Sequence, residues 1–202
     1  MPLWLASQPI VLASRSEARR GMLEAAGIPL EIVAAETDER GIEQEAAGRA
    51  PQDIAALLAR AKAKAVAASR PGRLVIGGDQ TLALGARLFA KPQSRADARE
   101  QLRALRGKTH ALHSAVAVMR DGEMLFEHAD SARMTMRGFS DEFLEAYLYA
   151  AGAAAETSVG GYQWEKLGVQ LFDRVEGDHF TILGLPLLPL IAWLRQSGLL
   201  AR

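Results

Sequence analysis

The chain has no cysteine. Disulfide frameworks, thiolate zinc sites, iron–sulfur clusters and cysteine nucleophiles are therefore excluded together. Histidine is scarce as well, with four residues dispersed so that no metal-ligand spacing arises. Neither sign of charge is in excess: Lys+Arg and Asp+Glu both number 24, for a formal net charge of zero. A dedicated nucleic-acid-binding domain is normally basic, so nucleic acid is not an expected partner. A small phosphorylated ligand needs only a local cluster of positive charge and stays open. Apolar stretches are short. The longest, Leu183 to Leu194, cannot span a bilayer and contains Pro186 and Pro189. No basic segment precedes the apolar residues of MPLWLASQPIVLASR, so neither a secretory signal nor a membrane partner is expected, and the cytoplasm is the expected compartment. There is also no Walker A loop, no His-rich metal motif and no G-x-S-x-G elbow.

The 202 residues are 49% hydrophobic and 24% charged, the balance of a folded domain. A chain of this size buries roughly 70% of its unfolded surface and needs no covalent staple. Ile10 to Ala13 has the length of a buried strand. Ser14-Arg15-Ser16-Glu17 follows as a capping-box pattern, with Ser14 and Glu17 as its ends, and Gly27 stops the helix. Leu30 to Val33 reads as a strand. Thr37 to Ala50, acidic and Gly-containing, reads as a mobile loop. Pro51 to Ser69 is a helix whose predicted apolar stripe is Ile54, Leu57, Leu58, Ala61, Ala65 and Ala68. Leu74 to Ile76 is a buried strand, and Thr81 to Phe89 a hairpin turning at Gly85. Ser94 caps a helix holding Ala98, Leu102 and Leu105 inside. Ala111 to Val118 and Glu123 to Met136 are strands joined at Asp121-Gly122. Ser140 starts a helix, Gly160-Gly161-Tyr162 is a Gly-rich loop, Leu171 to Val175 a strand, and Pro186 to Gln196 a closing helix. Helices alternate with strands early and a long hairpin follows, which predicts an α/β fold with a mixed sheet and flanking helices. No linker divides residues 1–202, which are read as a single domain.

Three places put chemistry-bearing residues at predicted strand ends. At Ser14-Arg15-Ser16 and Arg19, a helix N-terminus offers unpaired N–H groups and the positive end of the dipole. Arg15 and Arg19 are four residues apart and could present two guanidiniums on one face. A capped helix with a solvated basic face is the competing reading. At Gly77-Gly78-Asp79-Gln80, an acidic residue follows a buried strand and two glycines, where open α/β sheets bind ligands. The glycines let something approach the backbone; a turn aspartate is the alternative. The third group is scattered: Glu39, Lys62, Lys91, and Lys108 with His110, each also readable as a surface residue. His113 and His179 sit in strand-like runs and read as structural.

Taken together, LASRSEARRGML (12–23), TDE (37–39), LARAKAKA (58–65), VIGGDQTL (75–82), KP (91–92), GKTH (107–110), SVGGYQWEKLG (158–168) and TILGLPLLPL (181–190) resemble the Maf (septum formation inhibitor-like) family of nucleotide pyrophosphatases. The resemblance implies an α/β fold with two lobes around a deep cleft, similar to inosine triphosphate pyrophosphatases, and often a homodimer. It implies cleavage of nucleoside triphosphates between the α- and β-phosphates with a divalent cation, Mg²⁺ or Mn²⁺. Ser14, Ser16 and Arg19 match the family's phosphate-binding motif. Glu39, Lys62, Asp79 and Lys91 match its cleft-lining charged residues, with Asp79 as proton acceptor and Asp79 and Glu39 able to hold the metal. Such roles suit phosphoanhydride hydrolysis, which needs an oriented water and neutralised phosphate charge.

Base choice in that family rests on positions matched here by Ala18, Gln80 and Glu165. Gln80 and Glu165 resemble the 7-methyl-GTP type, and Ala18 departs from its usual aromatic residue. Trp164 or Tyr162 could supply the missing ring, and Lys166 could pair with Glu165. The other readings are a dTTP/UTP or broad-specificity pyrophosphatase, and a nucleotide-binding regulator of cell division without significant hydrolysis.

Overall fold

The structure, a computed structural model, describes residues 2–201. Its elements in chain order begin β1 (Ile10–Ala13), α1 (Glu17–Ala25), β2 (Leu30–Ile32), α2 (Glu39–Glu45), α3 (Pro51–Ala67), β3 (Val75–Leu84) and β4 (Arg87–Phe89). They continue α4 (Arg95–Leu105), β5 (Thr109–Arg120), β6 (Glu123–Met136), α5 (Asp141–Ala151), α6 (Ala154–Thr157), β7 (Phe172–Glu176), α7 (His179–Ile182) and α8 (Leu187–Gln196). One mixed sheet runs β2-β1-β3-β5-β6-β7, with β4 added to β3. The helical crossovers through α1 and α3 make β2, β1 and β3 parallel, whereas β3, β5, β6 and β7 pair antiparallel, β5 and β6 as a hairpin and the others across helical connections. The β5–β6 turn uses Asp121 (φ 50°) and Gly122 (φ 84°), the left-handed pair a tight hairpin requires. The expected mixed α/β sheet with flanking helices is therefore present.

β3 is the axis of the molecule. By strand alternation Val75, Gly77, Asp79 and Thr81 face one side, and Ile76, Gly78, Gln80 and Leu82 the other. On the first side α3 lies directly on the sheet, and its Ala55, Ala59, Ala63 and Val66 pack on Val11, Val75, Ala115 and Ala117. On the second side are two separate apolar clusters. One joins α1 and α8 to β1, Ile76, Val116 and Val118. The other joins α4 and α5 to Leu82, Leu112, Met134 and Met136. Between them, Gly78, Gln80 and Ser114 leave a polar belt across the sheet.

Several local expectations are corrected. Within the expected loop of residues 37–50, Glu39–Glu45 form a helix, because Asp38 accepts a hydrogen bond from the Gly41 N–H (3.0 Å) and starts α2. Ser16, not Ser14, caps α1, accepting from the Arg19 N–H at 3.3 Å. Arg15 therefore precedes the helix, exposed, and shares no face with Arg19. The buried stripe of α3 is rotated from the predicted one: Ala65 and Ala68 are exposed, while Lys62 is buried. His179 opens α7 rather than lying in a strand.

Gly77 explains the rotation. A Cβ there would overlap the Ala59 carbonyl oxygen and lie 2.6 Å from the Ala63 nitrogen, so α3 rests backbone-to-backbone on β3. Small residues on α3 permit this contact, and Thr81 ties the helix start down by donating to the Pro51 carbonyl at 2.9 Å. Gly77→Ala is expected to destabilise the fold by about 3 kcal/mol or more, since the obstacle is backbone and cannot turn aside. Gly21→Ala, whose Cβ meets nothing within 4 Å on α1, is expected to raise stability by about 1 kcal/mol. Denaturant unfolding of the two variants checks both signs.

Candidate active site

The glycine pair lies in mid-strand, not in a turn, and what approaches it is the protein itself. On one face Gly77 admits α3, which carries Lys62 to Asp79. The Lys62 Nζ donates to Asp79 Oδ1 at 2.6 Å and lies 3.0 Å from Glu39 Oε1, at the start of α2. On the other face Gly78 admits Arg19 of α1, whose Cδ would lie 3.1 Å from a Cβ at that position. The Arg19 Nε donates to the Gly184 carbonyl (2.7 Å) and its Nη1 to Ser14 Oγ (3.2 Å). Ser14 Oγ also accepts from the Ser16 N–H at 3.2 Å. The hydroxyls of Ser14 and Ser16 thus first serve to hold the start of α1 and the guanidinium.

Arg19 and Lys62 are each 9% exposed and Asp79 6%. Burial pushes the Asp79 carboxyl up, against the pull of Lys62 and then Arg19, which favour the carboxylate. Burial likewise lowers the Arg19 guanidinium, opposed by the charges of Asp79 and Glu39. Yet among the described residues no carboxylate lies within 4.0 Å of Arg19. A buried cation without an ion-pair partner is costly, so its neutral hydrogen-bond partners leave an electrostatic demand for negative charge. Glu43, one turn beyond Glu39 on α2, is a member of the cluster that sequence reasoning missed. Partial loss of water, then the charges of Asp79 and Glu39, push its carboxyl up. Its spacing of four from Glu39 was the available signal.

Lys91 is not drawn into this cluster; it lies exposed after β4 with no carboxylate within 4.0 Å among the described residues. Lys108 is a surface residue whose Nζ donates to the Ala104 carbonyl at 3.0 Å. His110 is buried, its Nε2 2.7 Å from the Tyr162 hydroxyl, and burial pushes it down to about 4. His113 bonds Ser131 Oγ through Nδ1 at 2.6 Å across the β5–β6 pair. Both are structural.

Beside Arg19, a groove of about 490 Å³ opens between α1, α7 and α8, and both Ala18 and Glu165 line it. The volume is within the range of small-molecule sites. Two residues far apart in sequence, both expected from the family resemblance to bear on base choice, thus line one groove. Gln80 is placed differently. Its Nε2 is directed at Ser114 Oγ (2.9 Å) and the Thr181 and Ile182 carbonyls (3.1 and 3.0 Å), holding α7 to the sheet. Tyr162 is in the core against His110 and Phe172, and Trp164 packs edge-on to Phe172, so neither substitutes for a ring at Ala18. Lys166 is exposed and forms no ion pair with Glu165. The aromatic residues at the groove are His179, read from the sequence as structural, and Phe180, which no sequence signal singles out, both of α7.

The fold and site define an α/β protein with a buried charged centre on β3 and a groove of small-molecule size along α1, α7 and α8. Residues 9–197 match the Maf-like protein family, and the chain belongs to it. It is 57% identical over 201 residues, all of both chains, to a nucleoside triphosphate pyrophosphatase of Rhodopseudomonas palustris strain BisB18. It is 59% identical over the same span to that of strain ATCC BAA-98 / CGA009. A 7-methyl-GTP pyrophosphatase of Rhizobium meliloti strain 1021 is 49% identical over 191 residues, 94% of this chain and 96% of that one. Among solved structures, a HAM1 protein from Coxiella burnetii aligns at 18% identity over 63% of this chain and 72% of that one, with a TM-score of 0.39, a likeness too slight to define a fold. No helix among the described residues is long and apolar enough to cross a membrane.

The burial of Asp79 has a sign that can be tested. A carboxyl raised on folding contributes stability that is present below its unfolded value of about 3.9 and is lost as pH rises through the folded value. Lys62→Gln removes the nearest charge favouring the carboxylate, so the Asp79 titration is expected to move further up, read from its carboxyl carbon resonance by NMR.

Proposed function

We propose that this chain hydrolyses the α–β phosphoanhydride of nucleoside triphosphates, releasing a nucleoside monophosphate and pyrophosphate, with 7-methyl-GTP its preferred substrate. Membership of the Maf-like family and full-length relatives at 57% and 59% identity make it a nucleoside triphosphate pyrophosphatase, a hydrolase acting on acid anhydrides. The observation that carries the mechanism is the buried Arg19 with no carboxylate partner, set across β3 from the Lys62–Asp79–Glu39 cluster. A triphosphate supplies the missing negative charge.

In this reading Asp79 accepts the proton of a water that attacks the α-phosphorus, and the bond to the bridging oxygen breaks with pyrophosphate leaving. A carboxyl that burial pushes up is a stronger base once ionised. Lys62 orients Asp79 and Glu39 and offsets charge that grows on the phosphates. Arg19, with Ser14 and Ser16 at the start of α1, binds phosphate oxygens, and Lys91 meets the outer phosphates from its loop. Asp79 and Glu39 each use one oxygen on Lys62. Among the described residues no group of three or more His, Cys, Asp or Glu that could hold a metal is present. Two carboxylates plus substrate phosphates are nevertheless the donor set that Mg²⁺ takes in phosphoryl chemistry. Asp79 and Glu39 would hold Mg²⁺ or Mn²⁺, which supplies charge neutralisation to the phosphates.

The substrate preference rests on Glu165. Glu165 lines a mostly apolar groove with Ala18 and His179. A carboxylate accepts hydrogen bonds from base amino groups, and N7-methylation makes guanine cationic, which favours a nearby negative charge. The similarity to the Rhizobium meliloti enzyme points the same way.

A turnover panel of 7-methyl-GTP, GTP, dTTP, UTP, CTP and ITP with Mg²⁺ tests the reading, with pyrophosphate and orthophosphate assayed separately. Pyrophosphate is expected, fastest from 7-methyl-GTP. A preference for dTTP and UTP overturns the substrate, orthophosphate overturns the cleavage site, and intact nucleotide leaves only a binding regulator. Asp79→Asn is expected to lower turnover about 10³-fold while nucleotide binding by calorimetry persists. Glu165→Gln is expected to reduce turnover of 7-methyl-GTP about tenfold more than that of dTTP, about the worth of one charged hydrogen bond.

A further inference from the structure

α7 is only four residues long, too short to hold itself together, and the structure fixes it from several sides. Asp178 Oδ1 accepts from the Phe180 and Thr181 N–H groups at 3.0 and 3.1 Å, capping its start. The Thr181 hydroxyl, fully buried, donates to Asp130 Oδ2 on β6 at 3.1 Å. Its carbonyl accepts from Ser114 Oγ on β5 at 2.7 Å and from Gln80 on β3 at 3.1 Å. Three strands of the sheet thus clamp one turn of helix. The Phe180 ring packs on the α1–α8 cluster behind it and lines the groove in front. His179 meets it edge-on, with ring centroids 5.7 Å apart and planes at 71°. Ala18 contributes only a methyl group to the groove, where Met22 is the one long side chain from α1, and Glu165 lines the same groove.

A flat, delocalised cation is attracted to an aromatic face, and an immobilised ring loses little freedom on binding it. We propose that Phe180 is the residue on which the base stacks and that, with Glu165, it sets the preference for a cationic purine; this rests on the pyrophosphatase reading above. Gln80 then acts on specificity as a positioning residue, through the placement of α7, and not by reading the base itself.

Phe180→Leu, Phe180→Trp and the wild-type protein test this together. Phe180→Leu keeps an apolar filling but loses the aromatic face. It is expected to raise KM for 7-methyl-GTP about tenfold, with kcat within about twofold and a smaller change for GTP. Phe180→Trp restores the face, so its KM is expected to return toward wild type. Titration with 7-methyl-GMP, the product, is expected to quench its fluorescence beyond the quenching in wild type, which already has Trp4, Trp164 and Trp193. This readout needs no turnover and does not depend on the leucine variant folding. An unchanged KM in folded Phe180→Leu, or 7-methyl-GMP binding without added quenching in Phe180→Trp, overturns the assignment of Phe180 alone. A wild-type enzyme that releases no pyrophosphate from 7-methyl-GTP overturns the functional reading instead.

Discussion

At Gly77, α3 lies on β3 without a side chain between them. Most of the polar centre follows from it. A helix held off by ordinary side chains would keep Lys62 too far from the strand to reach Asp79 at 2.6 Å. The alanines at 55, 59 and 63 belong to the same arrangement, since larger residues would lift the helix and take Lys62 with it. The apolar packing and the charged cluster are therefore one piece of construction.

Gly78 does for the opposite face what Gly77 does for the first. It lets the stem of Arg19 lie along β3, so that cations arrive at a single strand from both sides of the sheet. Neither is solvated enough to be indifferent to its neighbours. Lys62 has two carboxylates, whereas Arg19 has a hydroxyl and a carbonyl. Such an imbalance costs folding stability and is retained where an anionic ligand offsets it, a common pattern at functional sites.

The sequence was most legible where local chemistry decides the structure. Ser94 and Ser140 cap their helices as expected, Gly85 and Asp121-Gly122 turn their hairpins, and β6 spans Glu123–Met136 as read. Departures occur where distant contacts override local pattern. Ala65 and Ala68 have the composition of a buried stripe but face water, because the face chosen is the one Gly77 can accept. Ser14 fits a cap by spacing, yet its hydroxyl goes to the Ser16 N–H and to Arg19. The glycine pair was correctly read as a place of close approach, but the occupants come from α3 and α1, which no short-range pattern encodes. Arg19, Lys62, Asp79 and Glu39 were identified through resemblance to a family, and their convergence became visible only in three dimensions. Phe180 and His179 carried little signal, being ordinary residues in a segment too short for periodicity.

Gly184 O accepts the Arg19 Nε hydrogen bond, and the residue stands directly after the short helix that Gln80, Ser114 and Asp130 clamp. The Arg19 guanidinium and the aromatic wall of the groove are therefore bolted to neighbouring residues. A ligand that shoves the wall aside also pulls on the anchor of the arginine, so a poor fit at the wall is transmitted to the alignment of charge at Arg19. Selectivity in such a frame is exercised on the geometry of the reacting centre as well as on residence in the groove.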